Sequence, residues 1–203
     1  MNTLALLGII VSGVVAWFTV RKSSTSERVP GELPKLPPSG QLVDFDQIRY
    51  FTRQEFDSKG RDTAGISTGH LMHARFVLLL DKIRHEWGRP LIINSGYRTE
   101  IHNTAVGGSP TSSHMKGLAA DIHMDSYGDM LAFVSLAKSW GITRIGLYRT
   151  LRSWFVHIDL DEIKPDSVWH EWRGERMTPQ QFAESAMATP GNTLAALPAF
   201  RLY

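Results

Sequence analysis

Hydrophobic and polar positions divide the chain into four stretches. Residues 4–20, LALLGIIVSGVVAWFTV, form an apolar run without a charge. A run of that length sits at the short end of what crosses a bilayer as a helix, about 17–25 residues. A cleaved signal peptide competes, but the start is Met1-Asn2-Thr3 without a basic residue, and no convincing Ala-x-Ala cleavage site follows. We expect an uncleaved anchor over residues 1–22. The flanking pair Arg21-Lys22 would place that side in the cytoplasm by the positive-inside rule.

From Ser23 to Leu42 no helix or strand period appears. Ser and Gly accompany Pro30, Pro34, Pro37 and Pro38, the composition of a semi-extended linker over residues 23–42. From Val43 to Ala188 periodic segments return, and this is the expected folded domain. Thr52, with Glu55 three residues on, has the form of a capping box before Phe56. Met72, Phe76, Leu79, Leu80, Ile83 and Trp87 recur at helical spacing, stopped by Gly88 and Pro90. Leu91-Ile92-Ile93 reads as a buried strand delivering Ser95-Gly96-Tyr97-Arg98 to a loop. A short helix over 100–106, a strand over 118–124, a helix over 129–140 and antiparallel strands over 144–148 and 154–160 follow. Thr178-Pro179 opens a last helix with proline at its first position. Residues 189–203 form a Pro/Gly-punctuated tail. Strands and helices do not alternate regularly, so the expected fold is α+β: a small, largely antiparallel sheet flanked by helices, with an N-terminal membrane helix.

Composition narrows the chemistry. The chain of 203 residues is 42% hydrophobic, enough for one core plus extensions. A net charge of +2 without a basic run gives no reason to expect a nucleic-acid partner. The absence of cysteine excludes disulfides and thiolate metal sites. The donors that remain in suggestive order are His114 and Asp121, in Ser112-Ser113-His114-Met115-Lys116-Gly117-Leu118-Ala119-Ala120-Asp121, and His157, in Val156-His157-Ile158-Asp159. Two imidazoles and a carboxylate leave a fourth position for water, the pattern of a catalytic zinc. A facial triad for iron is a weaker alternative, because His157-x-Asp159 lacks a suitably distant later histidine.

Ser112-x-His114-x-x-Gly117-x-Ala119-x-Asp121, the later Val156-His157-Ile158-Asp159 and the upstream Ser95-Gly96-Tyr97-Arg98 together resemble the zinc D-alanyl-D-alanine carboxypeptidase and murein endopeptidase family. That family is related to D-Ala-D-Ala dipeptidases and phage endolysins. The resemblance spans residues 44–172. It implies zinc on His114, Asp121 and His157. It also implies Arg98 at the oxyanion or a substrate carboxylate, and Ser112 and Tyr97 toward substrate. The chain departs from the pattern where relatives carry an acid or histidine two or three residues before the last ligand: Phe155 and Trp154 stand there. Asp159, on the same strand face as His157 and roughly 7 Å along, is either the general base or an acceptor that orients an imidazole. His123, and His170 between Trp169 and Trp172, are lesser expectations near the site; His70, His73, His85 and His102 are expected at the surface.

The expected function is a zinc peptidase acting on stem peptides or cross-links of peptidoglycan, in wall remodelling or phage lysis or entry. It would be membrane-anchored facing the wall, against the weak opposite signal of the two charges Arg21-Lys22, or part of a virion. The alternative is a non-catalytic peptidoglycan-binding protein on the same scaffold.

Overall fold

A computed structural model describes residues 35–151 and 153–188, together with the backbone of residues 8–11 and 14–17. Within the apolar run, strands β1 (Gly8–Val11) and β2 (Val14–Trp17) pair antiparallel. The membrane helix expected there is not what these residues form: Ile9, Ile10, Val11, Val14 and Val15 are β-branched and favour extended backbone. Among the described residues no helix is long and apolar enough to cross a membrane. The remainder of the run, most of the linker and the tail lie outside the described residues.

The main body is an α+β unit. Helix α1 (Ala74–Trp87) ends at Gly88, whose φ of 76° and N–H to the Arg84 carbonyl form a left-handed cap. Strand β3 (Ile93–Ser95), short helix α2 (Glu100–Ala105), strand β4 (Ala119–Met124) and helix α3 (Tyr127–Ser139) follow. Then come β5 (Arg144–Arg149), β6 (Trp154–Asp159), β7 (Ser167–Trp172), β8 (Glu175–Met177) and α4 (Pro179–Met187). The sheet runs β3-β4-β6-β5-β7-β8, antiparallel except where β7 lies parallel to β5.

Each strand turns alternate residues to opposite faces. Ile122, Ile145, Leu147, Val156 and Ile158 are buried with Phe76, Leu79, Leu80 and Ile83 of α1, Met130 and Phe133 of α3 and Phe182 of α4. The opposite face carries Asp121, Arg144, Gly146, Tyr148, Phe155, His157, Asp159, Trp169 and Glu171. Polar residues therefore collect on one side because the apolar partners of the same strands are pulled into the core.

Two expectations change in detail. The capped segment near Phe56 is a 3-10 turn, Arg53–Phe56, with the Thr52/Glu55 capping box present. The described end of the linker is docked: Leu36 packs on the core, Ala74 N–H donates to the Gln41 carbonyl at 2.8 Å, and Val43 N–H to the Met72 carbonyl at 3.0 Å.

Candidate active site

His114 sits on a 3-10 turn, Ser113–Lys116, between α2 and β4. Ser112 caps that turn, its Oγ accepting from His114 N–H at 3.3 Å. Gly117 ends it with φ 66°, and a Cβ there would stand 2.3 Å from the Leu71 carbonyl oxygen. Only glycine satisfies both the left-handed backbone and the close approach. Asp121 and His157 face each other across the β4–β6 ladder.

The three side chains converge. His114 Nε2 is 3.2 Å from Asp121 Oδ1 and 3.2 Å from His157 Nδ1, and His157 Nδ1 is 2.9 Å from Asp121 Oδ1. A tetrahedron with metal–ligand bonds of about 2.0–2.1 Å has edges of roughly 3.3–3.4 Å, so these atoms match one face of a zinc site. The remaining ring nitrogens are anchored. His114 Nδ1 donates to the Gly96 carbonyl at 2.7 Å, and His157 Nε2 lies 3.1 Å from Asp159 Oδ2. Such outer hydrogen bonds fix tautomer and ring orientation at metal sites.

Electrostatics prepare the same atoms. Burial lowers the His114 pKa, although Asp121 pulls it upward, and this favours the neutral ligand form. Burial alone would raise Asp121; His114 and His157 hold its carboxyl well below the usual range. Burial would lower His157, yet hydrogen bonds to Asp121 and Asp159 outweigh it and raise its pKa.

Asp159 has little freedom. It is 2% exposed, takes Arg144 Nε at 2.9 and 3.1 Å on its two oxygens, accepts Asp161 N–H at 3.0 Å, and meets His157. Arg98 is hydrogen-bonded to Asp121 Oδ2 and to Ser95 Oγ, so it steadies the oxygen that faces away from the imidazoles. Asp161, buried behind the site, joins Lys116 at 2.8 Å and Ser113 at 3.2 Å, tying the His114 turn to the end of β6.

An open cleft of about 1110 Å³ lies over these groups. Arg98, Arg144, Arg149, Lys164, Arg173 and Arg176 line it against Asp121, Asp159 and Glu171, giving its walls excess positive charge. Ser112 lines it as well. Tyr97 does not; it packs against the core while its neighbour Arg98 turns to the site. His170 does not close over the cleft either: it lies on the other face of β7, its ring 5.3 Å from Phe182. His123 points to Asp125 at 3.4 Å, and His102 meets Ser58 Oγ at 2.9 Å rather than only solvent. Arg144, Tyr148, Trp169 and Glu171 are cleft residues that the motifs did not single out. Strand parity was the available signal for Arg144 and Tyr148, which alternate with the buried Ile145 and Leu147.

A mainly antiparallel sheet presents a His-Asp-His cluster with the donor set of a metal site at the floor of a polar cleft. The Peptidase M15 family profile matches residues 49–159, more than half of the chain, and the protein belongs to that family. A stretch of 67 residues is 39% identical to the zinc D-Ala-D-Ala carboxypeptidase of Streptomyces albus G, covering 32% of this chain. The match spans 26% of that relative's length. The family and the donor set give zinc as the cofactor.

Proposed function

We propose that this protein is a zinc peptidase that hydrolyses peptide bonds in peptidoglycan stem peptides or cross-links, outside the cytoplasm. The observation that carries the reading is the ligand triangle of His114, Asp121 and His157, with each imidazole's second nitrogen anchored. These three residues would hold the metal. A bound zinc supplies a Lewis acid for the carbonyl and lowers the pKa of a coordinated water to about 7. Arg98 fixes Asp121 and offers the cleft a guanidinium for an oxyanion or carboxylate. The positive walls favour a substrate bearing carboxylates, as stem peptides do. Ser112 contributes the rim beside His114.

Asp159 is a positioning residue in this reading. Both its oxygens are committed, so it orients His157 and does not shuttle protons. Trp154 is packed against Tyr127 and Phe182, and Phe155 is stacked under Tyr148, so neither fills the place of a base. Glu171, which meets Arg176 at 3.6 Å, is the remaining carboxylate among the described cleft residues, and we assign it the proton-carrying role. The missing acid before His157 favours the second reading, a peptidoglycan binder that retains the metal.

The test is hydrolysis of soluble muropeptides by protein stripped with a chelator and reloaded with one zinc per chain. The enzyme reading expects activity to vanish and return, and Glu171→Gln to lose turnover while keeping zinc. Reloaded wild-type protein that binds muropeptides without cleaving them establishes the binder instead.

A further inference from the structure

Strand β5 places Gly146 between His157 of β6 and Trp169 of β7. There is no room for a side chain at Gly146: a Cβ would stand 2.5 Å from Trp169 Cε2 and 2.6 Å from Tyr148 Cε2. The Tyr148 and Trp169 rings therefore lie across the strand beside His157, whose ring centre is 5.5 Å from that of Trp169. Tyr148 is held from two directions. Its ring stacks on Phe155, with centroids 4.6 Å apart and planes 4° from parallel. Its Oη accepts from Trp169 Nε1 at 2.8 Å.

An indole N–H is a donor only, so this bond occupies a phenol lone pair and leaves the phenol proton free. Among the described residues nothing in the protein accepts that proton, and the phenol opens on the same cleft as His114, Asp121 and His157. A donor locked in place, without a protein acceptor, beside a cluster of metal-ligating side chains is a preorganised partner for developing negative charge.

We propose that Tyr148 is a further catalytic residue, resting on the zinc peptidase reading above: its O–H donates a hydrogen bond to the oxyanion that develops on the scissile carbonyl. As a water oxygen adds to the carbonyl carbon, the C=O π pair moves onto the carbonyl oxygen, and the phenol proton stabilises it without changing owner. When the C–N bond breaks, that pair re-forms the carbonyl and the amine departs with a proton derived from the water. The hydrogen bond is stronger to the oxyanion than to the neutral carbonyl, so it acts on kcat rather than on KM. Trp169 is the positioning residue, and Phe155 is the platform that keeps the phenol in line. An aromatic residue where relatives carry an acid or histidine thus has a use of its own here. Burial raises the Tyr148 pKa; the Trp169 bond opposes this and the Glu171 and Asp121 charges add to it, so the group stays protonated and able to donate at neutral pH.

The experiment compares the zinc-loaded full chain with Tyr148→Phe and Trp169→Phe. It reads kcat and KM on a muropeptide, calorimetric affinity for a phosphinate isostere of the scissile dipeptide, and zinc content. Tyr148→Phe keeps the stack on Phe155. It is expected to retain its zinc, to lose roughly 10²-fold in kcat with KM little changed, and to weaken phosphinate binding by a similar factor. Trp169→Phe gives a smaller loss in the same two quantities. Tyr148→Phe protein that matches wild type in kcat and phosphinate affinity overturns the assignment. Should that variant fail to hold zinc, Trp169→Phe decides: unchanged kcat and affinity there overturn it equally. Wild-type protein that neither cleaves the muropeptide nor binds the phosphinate removes the peptidase reading itself, and this inference with it.

Discussion

His157 is the residue on which proton and metal compete. Burial would lower its pKa, but hydrogen bonds to Asp121 and Asp159 outweigh this and raise it above 6.5. The sign follows: its contribution to stability is complete below 6.5 and is lost as pH rises through the raised value. Zinc requires the neutral imidazole, so binding expels that proton and strengthens with pH. Melting curves of chelated and zinc-loaded protein should therefore diverge as pH rises from 5 to 9; a constant gap would remove His157 from the ligand set. Asp159→Asn keeps the shape but weakens the anchor on His157 Nε2. It should reduce zinc affinity by about 10- to 100-fold in a competitive chelator titration, whereas an unchanged affinity would leave Asp159 without its positioning role. His114, Asp121 and His157, which the fold brings together, were singled out in the sequence by their residue types and by the family resemblance of the motifs around them; among eight histidines, spacing alone carries little. Of the two options open for Asp159, the positioning role proposed above draws on Arg144, its partner at 2.9 Å from a strand that no motif marked.

At the scale of elements, α1, β4 and β6 were legible because each pairs a strong apolar period with clear stops. Strands β7 and β8 were not. Ser167-Val168-Trp169-His170-Glu171-Trp172 has no clean alternation of apolar and polar residues, because the cleft face itself carries an indole. The parallel pairing of β7 with β5 is set by tertiary packing and not by local sequence. The two-residue turn between β7 and β8 holds Arg173 at φ 55° and Gly174 at φ 83°. Arginine is a poor residue for left-handed backbone, whereas asparagine tolerates it. Arg173 also lines the cleft. Arg173→Asn is therefore expected to stabilise the fold by about 0.5–1 kcal/mol in urea unfolding while raising KM for anionic muropeptides. Loss of stability would show that the turn is held by contacts of the arginine itself.

For the whole molecule, the polar face of one sheet is the organising feature. Its core face is sealed by α1, α3 and α4, and its other face gathers the ligand triangle, the positive cleft walls and the Tyr148–Trp169 pair. The α+β class was readable from the order of elements, but the mixed sheet and the docking of the chain from Leu36 onward were not, since both depend on distant partners. The apolar run at the start shows the limit of composition: the same β-branched residues that satisfy a hydropathy window also suit strands, and the described part is a hairpin. The central claim is zinc-dependent cleavage of peptidoglycan at this site. Its most direct test is to incubate the zinc-loaded protein with purified peptidoglycan beside His114→Ala and to read the released products by mass spectrometry. The account predicts new stem-peptide fragments that are absent from the His114→Ala digest. Identical digests, with wild-type protein holding one zinc per chain, would contradict it.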